Sequence, residues 1–443
     1  MRTTVIASET EESGRWRAPI RRRPSLTLGL TALLFLATPA FAGIVNRDVE
    51  REVRERGSAR VIVMMRDDAM PSLTSDDFTL TTRWHAVTGF AGVARASAIA
   101  KLESDPNVAS VELDLPGGAQ LAQSVPMIGG DVVHAMGYTG NVTVAILDSG
   151  IDLTHPDLAD SIVDQQCFCS SGCCPNGQST QSGSGAARDE DGHGTNVAGI
   201  IASKGRIASI GVAPGVKIVA VRVLDKNNRF SGLSQIISGL QWVLDNHPEV
   251  RVINASLGTD QLFSGYCDGQ SPAMAHIVDQ LRAHGTMLFV SSGNQASSTS
   301  MGSPACVQNT ISVGAVYDGD DGSVTFPQVC TDATTHADQI TCFTNSNSTL
   351  DLLGPGAVIT STGLGGGLSS YIGTSQATPH CAGAAAILLT IRPSLTADEV
   401  ETILKTTGRP LVDSRNAAVI PRLNLLAAVQ SVVRIPQKRH SAR

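Results

Sequence analysis

The chain has 443 residues, of which 42% are hydrophobic, 16% charged and 4% aromatic, with 43 glycines and a formal net charge of −7. That length and apolar share exclude a disordered chain and allow one domain of about 250–300 residues with smaller accessories. The acidic balance gives no electrostatic basis for a nucleic-acid partner.

The N-terminal stretch RRRPSLTLGLTALLFLATPAFA carries a basic segment (Arg21, Arg22, Arg23), an apolar run from Leu26 to Ala37 and the small-residue end Ala40-Phe41-Ala42. This is the pattern of a secretory signal peptide over 1–42, cleaved after Ala42. The apolar run falls short of the roughly 20 residues that a membrane span needs. The expected product is therefore secreted, with no membrane association once the signal is gone. Residues 43–121 form a small α+β unit. ARVIVMMRD reads as a strand, and FAGVARASAIAKLESDPNVASVELD as strand, helix (Ser97 to Ser104), turn and strand, with Val108, Val111 and Leu113 alternating. LPGGAQLAQSVP then reads as an exposed linker open to cleavage.

From Asn141 the pattern changes. The runs VTVAIL, KIVAVRVL, VRVINASL, TMLFVSS and TISVGAV alternate with helical stretches such as GTNVAGIIAS, GLSQIISGLQWVLDN and ATPHCAGAAAILLTI. Nearly all-apolar strands alternating with helices predict an α/β doubly wound, mostly parallel sheet covered on both faces. Ligands bind such sheets at the C-terminal ends of the strands. Two cysteine-bearing insertions, 165–188 and 318–347, read as surface loops, and 431–443 as a frayed basic tail. In an exported chain Cys167, Cys169, Cys173, Cys174, Cys267, Cys306, Cys330 and Cys342 read as disulfides and Cys381 as a buried thiol. The first four could instead bind zinc, although their spacing does not match paired C-x2-C knuckles. Neighbourhood within loops gives Cys267–Cys306, Cys330–Cys342 and pairing inside the 167–174 cluster.

Three motifs carry chemistry. VAILDSGID places Asp148 at the end of a buried strand, where an ionised carboxylate is costly unless it is paired or hydrogen-bonded. DGHGTNVAGI places His193 at a helix start. GTSQATPHCAGAAAILL places Ser375 at another helix start, where free N–H groups favour a developing anion. Each also has a plain structural reading: turn cap, polar cap and N-cap. Together, in the order Asp–His–Ser at the ends of one sheet, they favour catalysis.

With these motifs the chain resembles subtilisin-like serine peptidases over nearly all of 43–430. VAILDSGIDLTHPDL, HGTNVAGI and GTSQATPH are similar to the family's Asp, His and Ser motifs, SSGNQ to its oxyanion segment and NASLG to its substrate-pairing strand. The order of the triad is a standard worked case for subtilisin. The resemblance implies Ser375 as nucleophile, His193 as base and then acid, Asp148 as its orienting carboxylate, and Asn294 with the Ser375 N–H as oxyanion donors. It implies that Ser256, Leu257 and Gly258 pair with extended peptide. It also implies that Ser291, Ser292 and Gly293 wall the pocket for the side chain preceding the cut bond, with Gly302 at its base. Large apolar residues are expected there, since Gln295 stands where some relatives carry an acid. His155 and His380 are expected to be structural.

The resemblance further makes 43–121 an inhibitory, fold-assisting propeptide. ELDLPGGAQLAQ would occupy the substrate groove and be cut between Leu115 and Ala122, just before Ala122. Residues 122–430 would then be the peptidase domain, a monomer acting on proteins or peptides, with its own propeptide as intramolecular inhibitor. No cofactor is implied for catalysis. Gln376 and Asn196 depart from the family pattern, and Gln376 is expected at the rim of the site. Many relatives bind a stabilising calcium. Here Asp157 and Gln123 fit that site, but Gly205 replaces an asparagine between Lys204 and Arg206, which disfavours calcium; the acidic run 318–323 reads as a solvated loop. Two other classes stay open: an inactive subtilisin-like binding scaffold, marked by loss of a triad or oxyanion residue, and an esterase, separable by comparing casein with a long-chain lipid ester.

Overall fold

The computed structural model describes residues 44–67, 69–84, 88–114 and 123–434. The expected signal peptide, the expected cleavage site within 115–122 and the tail beyond residue 434 lie outside the described residues. The chain divides into two compact units between Pro116 and Gly117.

The first unit contains β1 (Ile44–Val45), α1 (Arg47–Arg56), β2 (Ser58–Met65), β3 (Phe78–Arg83), β4 (Gly89–Arg95), α2 (Ala96–Ser104) and β5 (Val108–Leu113). Its sheet has the order β1-β5-β2-β4-β3. β2 buries Ala59, Val61, Val63 and Met65 on one face, as the two-residue period requires. Val49 and Val53, one helical turn apart, put α1 on the same core, and Phe78 meets Phe90 edge-on with ring centroids 5.4 Å apart. β2, β4, α2 and β5 match the sequence expectation. α1 and β3 were not expected: α1 has only those two apolar residues, and β3 exposes all but Phe78.

The second unit is built on a sheet of the order β20-β21-β17-β14-β12-β10-β6-β9-β7-β8 among the described residues. In chain order the strands are β6 (Thr143–Asp148), β7 (Ile162–Phe168), β8 (Thr180–Ser182), β9 (Lys217–Arg222), β10 (Val252–Ala255), β12 (Met287–Ser291), β14 (Ile311–Tyr317), β17 (Leu352–Ala357), β20 (Arg409–Val412) and β21 (Val419–Arg422). Short pairs lie outside it: β11 (Leu262–Phe263) with β13 (Met301–Gly302), β15 (Val324–Phe326) with β16 (Cys330–Asp332), and β18 (Ile359–Gly363) with β19 (Gly367–Tyr371). The large sheet is parallel from β21 through β7. An antiparallel strand closes each edge.

The helices are α3 (Ser124–Met127), α4 (Gly130–Ala135), α5 (His193–Ala202), α6 (Leu233–Asn246), α7 (Pro272–Ala283), α8 (Thr374–Ile391), α9 (Ala397–Thr407) and α10 (Leu425–Arg434). Alternate strand residues face two separate cores. Val144, Ile146, Ile218 and Phe289 pack with α5 and α8, whereas Ala145, Leu147, Val219 and Leu288 pack with α6 and α7. This is the doubly wound α/β fold expected. α8 is apolar and buried on nearly every face, which makes it the central helix of its layer.

Strand order fixes where a site can form. The chain leaves β6 for β9 and β7 on one side, then crosses to β10, β12 and β14 on the other. The crevice at the C-terminal ends of β6 and β10 is therefore the topological switch point. Cysteines pair as Cys167–Cys174, Cys169–Cys173, Cys267–Cys306 and Cys330–Cys342, and Cys381 is a buried free thiol. Among the described residues no helix is long and apolar enough to cross a membrane.

Candidate active site

Asp148 ends β6 and His193 begins α5, and both are buried. His193 Nδ1–H donates to Asp148 Oδ1 at 2.7 Å, and the Ser149 N–H donates to the same oxygen at 2.7 Å. Gly194 allows this approach, because a Cβ there would lie 2.1 Å from the Gly150 carbonyl. Burial disfavours the imidazolium, but the charge and hydrogen bond of Asp148, with Asp191 and Asp189 behind it, outweigh burial and raise the His193 pKa. Tyr371 meets the imidazole edge-on, with centroids 5.9 Å apart.

Two residues that the sequence reading missed build the histidine loop. Buried Asp189 accepts from the Asp191, Gly192 and Thr195 N–H groups at 3.0 Å each. It also accepts from the Ser149 and Thr195 hydroxyls at 2.9 and 2.6 Å. Arg222, fully buried and opposite Asp148 in register, donates to the Arg188 carbonyl at 2.6 Å and to Glu190 at 3.0 Å. An aspartate four residues before the histidine was the readable signal for Asp189; Arg222 ends an apolar strand and gave none.

Ser375 lies in the first turn of α8, and its hydroxyl donates to the Ser256 carbonyl at 3.3 Å. Asn294 Oδ1 accepts from the Thr374 N–H and hydroxyl, each at 2.9 Å. Because the Thr374 N–H can only donate, the oxygen of the Asn294 amide is fixed on that side, and its NH2 lies beside Gly373. Asn345, another residue the sequence did not mark, holds this loop by accepting from the Gln295 and Ser297 N–H groups at 3.0 Å each.

One cavity of about 390 Å³ is lined by Ser256, Leu257, Gly258, Ser291, Ser292, Gly293, Asn294, Gly302 and Ser375. Those are the expected binding residues, gathered with the expected nucleophile; Asp148 and His193 are not among its lining. Ser291 Oγ donates to the Leu257 carbonyl at 3.2 Å and so ties two walls together. Gly302, expected at the base of the pocket, is closely packed on one side. A Cβ on Gly302 would point at the Thr259 carbonyl, 2.6 Å away, so the missing side chain makes room for Thr259. Arg229, Phe230, Asp260 and Phe326 also line the cavity, and Arg229 pairs with Asp260 at 2.5 Å. An acid is thus present where none was expected, already neutralised.

Gln376 is buried instead of lying at the rim, and donates to Asn196 Oδ1 at 3.4 Å, so the two departures from the family pattern contact each other. His155 is structural: Nδ1 accepts from the Asp157 N–H at 3.1 Å and Nε2–H donates to the Gly367 carbonyl at 2.9 Å.

The residues at the family's calcium position do not fit a cation. Asp157 accepts from the N–H groups of Arg206, Ile207 and Ala208 at 2.5, 2.9 and 2.9 Å. Arg206 donates to the Pro156 carbonyl at 2.6 Å and to Asp160 at 2.8 Å, and Lys204 bonds the Pro214 carbonyl. The carboxylate is engaged from within by three N–H groups, and the Arg206 guanidinium pairs with Asp160 close by. Gln123 presents its amide oxygen to Gly319.

The subtilase family model matches residues 139–422. Subtilisin J of Geobacillus stearothermophilus is 34% identical over 403 residues, spanning 87% of this chain and 93% of its own. Subtilisin E of Bacillus subtilis (strain 168) is 37% identical over 327 residues, 72% of this chain and 74% of its own. A solved structure of a cold adapted subtilisin-like serine proteinase aligns with a TM-score of 0.49 at 26% identity, over 64% of this chain and 89% of its own. The match to the family model and to these subtilisins leads to one conclusion: this chain belongs to the subtilase family and is a serine endopeptidase.

Proposed function

We propose that the chain is the precursor of a secreted endopeptidase in which Ser375 attacks the scissile carbonyl and His193 takes its proton. Asp148 holds the imidazole and stabilises its cation. The acyl-enzyme forms with expulsion of the amine, which leaves with the proton held by His193; water, deprotonated by His193, then releases the acid. Asn294 Nδ2 and the Ser375 N–H carry the oxyanion. Extended peptide pairs with Ser256–Gly258, and a large apolar side chain enters between that strand and Ser291–Gly293.

The observation that carries this reading is the 2.7 Å His193–Asp148 bond at the switch point. Ser375 lies in the first turn of its helix beside the Asn294 amide, whose oxygen is already engaged. Residues 1–42 are proposed as the signal and 43–121 as a propeptide that Ser375 removes in cis at high effective concentration. The mature peptidase is proposed to be a monomer that needs no cofactor.

The test is labelling with a fluorophosphonate, followed by peptide mapping and a casein assay. Label on Ser375, lost together with caseinolysis in Ser375→Ala, supports the assignment. Label on another residue, or caseinolysis by Ser375→Ala, overturns it. Ser375→Ala should also accumulate with the propeptide attached.

A further inference from the structure

An α-helical carbonyl accepts the N–H four residues ahead. For Ser375 that residue is Pro379, inside α8, which has no N–H and whose ring crowds the carbonyl. The Ser375 carbonyl is therefore left without its helical donor in a buried turn, at the residue read above as the nucleophile. An unsatisfied buried carbonyl is costly and leaves its peptide plane free to tilt.

The missing donor comes from another element. Ser256 follows β10, is 3% exposed, and its hydroxyl donates to the Ser375 carbonyl at 2.7 Å. The Asn254 amide, fully buried in β10, donates in turn to Ser256 Oγ at 3.1 Å. Ser375 Oγ–H donates back to the Ser256 carbonyl at 3.3 Å. Ser256 and Ser375 are thus joined by two hydrogen bonds of opposite sense. One holds the backbone of Ser375 and the other its side chain.

We propose that Ser256 is a positioning residue for Ser375. Its hydroxyl, oriented by Asn254, replaces the helical N–H that Pro379 lacks and so fixes the backbone from which the nucleophile projects. This goes beyond a role for Ser256 as a strand that pairs with substrate, because that role uses only its main chain. It rests on the reading of Ser375 as nucleophile.

The proposal makes the effect of Ser256 depend on Pro379. Four proteins test it: wild type, Ser256→Ala, Pro379→Ala and the double variant, each with its concentration of active serine counted by fluorophosphonate labelling. Ser256→Ala should lower kcat roughly 10–100-fold, the cost of a misplaced reacting group, with KM little changed. The rate of labelling should fall in parallel. Pro379→Ala returns an N–H to the carbonyl, so on that background the Ser256→Ala loss should shrink to less than about threefold. Ser256→Thr, which keeps the hydroxyl, should retain most of kcat, and this comparison stands even if Pro379→Ala fails to fold. Equal losses on both backgrounds, a change confined to KM, or no rescue by threonine overturns the proposal. Label mapping away from Ser375 would instead overturn the underlying reading of the nucleophile.

Discussion

The Ser124 hydroxyl donates to Nε2 of buried His380 at 2.9 Å, while Nδ1–H of the same ring donates to the Gln376 carbonyl at 2.9 Å. Both nitrogens are used by the neutral ring, and the bond ties the segment that opens the second unit to the helix that carries Ser375.

This pair predicts acid sensitivity. Burial takes the His380 pKa from 6.5 down to about 4, against a smaller upward pull from the Gln376 carbonyl. Between those values the unfolded chain binds a proton that the fold refuses. The contribution to stability is therefore complete above pH 6.5 and is lost as pH falls toward 4. Its size is at most about 3 kcal/mol. Urea midpoints of Ser375→Ala, with and without His380→Gln, measure it. Equal slopes between pH 6.5 and 4 would remove His380 as the cause.

A second prediction concerns activity against pH. His193 must be neutral to act as a base, and its pKa is raised. The acid limb of kcat/KM should then lie above the ordinary histidine range. Asp189→Asn removes one of the charges that raise it and weakens the loop that Asp189 gathers. The limb should move down while kcat/KM falls roughly tenfold or more. An unmoved limb would contradict the electrostatic account of His193.

A third tests the cavity. Arg229 neutralises Asp260 at its edge. Arg229→Gln leaves the acid unpaired, so kcat/KM for peptides with Lys or Arg at the cut site should rise by roughly fivefold, and less in high salt. Unchanged selectivity would place Asp260 outside the reach of substrate.

Calcium supplies a fourth. Because Asp157 is held by three backbone N–H groups, Tm should not move on adding EDTA or calcium. Asp157→Asn turns an amide toward those donors and should cost about 2–3 kcal/mol in a denaturant titration. A Tm that rises with calcium would show that a cation stabilises the fold after all.

Much of the second unit was legible because parallel strands buried on both faces write themselves as apolar runs, and because Asp148, His193 and Ser375 each sit in a distinctive local motif. Apart from Asp189, the supporting residues were not legible, since their roles depend on partners distant in sequence. Asn345 is 50 residues from the Gln295 N–H it accepts, and Ser256 is 119 residues from the carbonyl it serves. Gln376 was placed at the rim from its position in the family pattern beside Ser375, but adjacent residues on a helix point about 100° apart, and its side chain turns inward to Asn196. β3 left little signal because its apolar alternation stops after Phe78 and Leu80, and Leu80 is exposed.

A peptidase shares its solution with many copies of itself, and the bonds at risk are those in segments that can straighten into a neighbour's cleft. The two long insertions are the natural victims. Each is crossed by covalent bridges: Cys167–Cys174 and Cys169–Cys173, separated by 7 and 4 residues, and Cys330–Cys342, separated by 12. A segment closed over so few residues cannot adopt the extended form that strand pairing requires. Mild reduction should therefore shorten the working life of the enzyme by self-digestion at 169–179 and 318–347 while its large sheet is still folded, and fragments cut at those two places would be the first to appear.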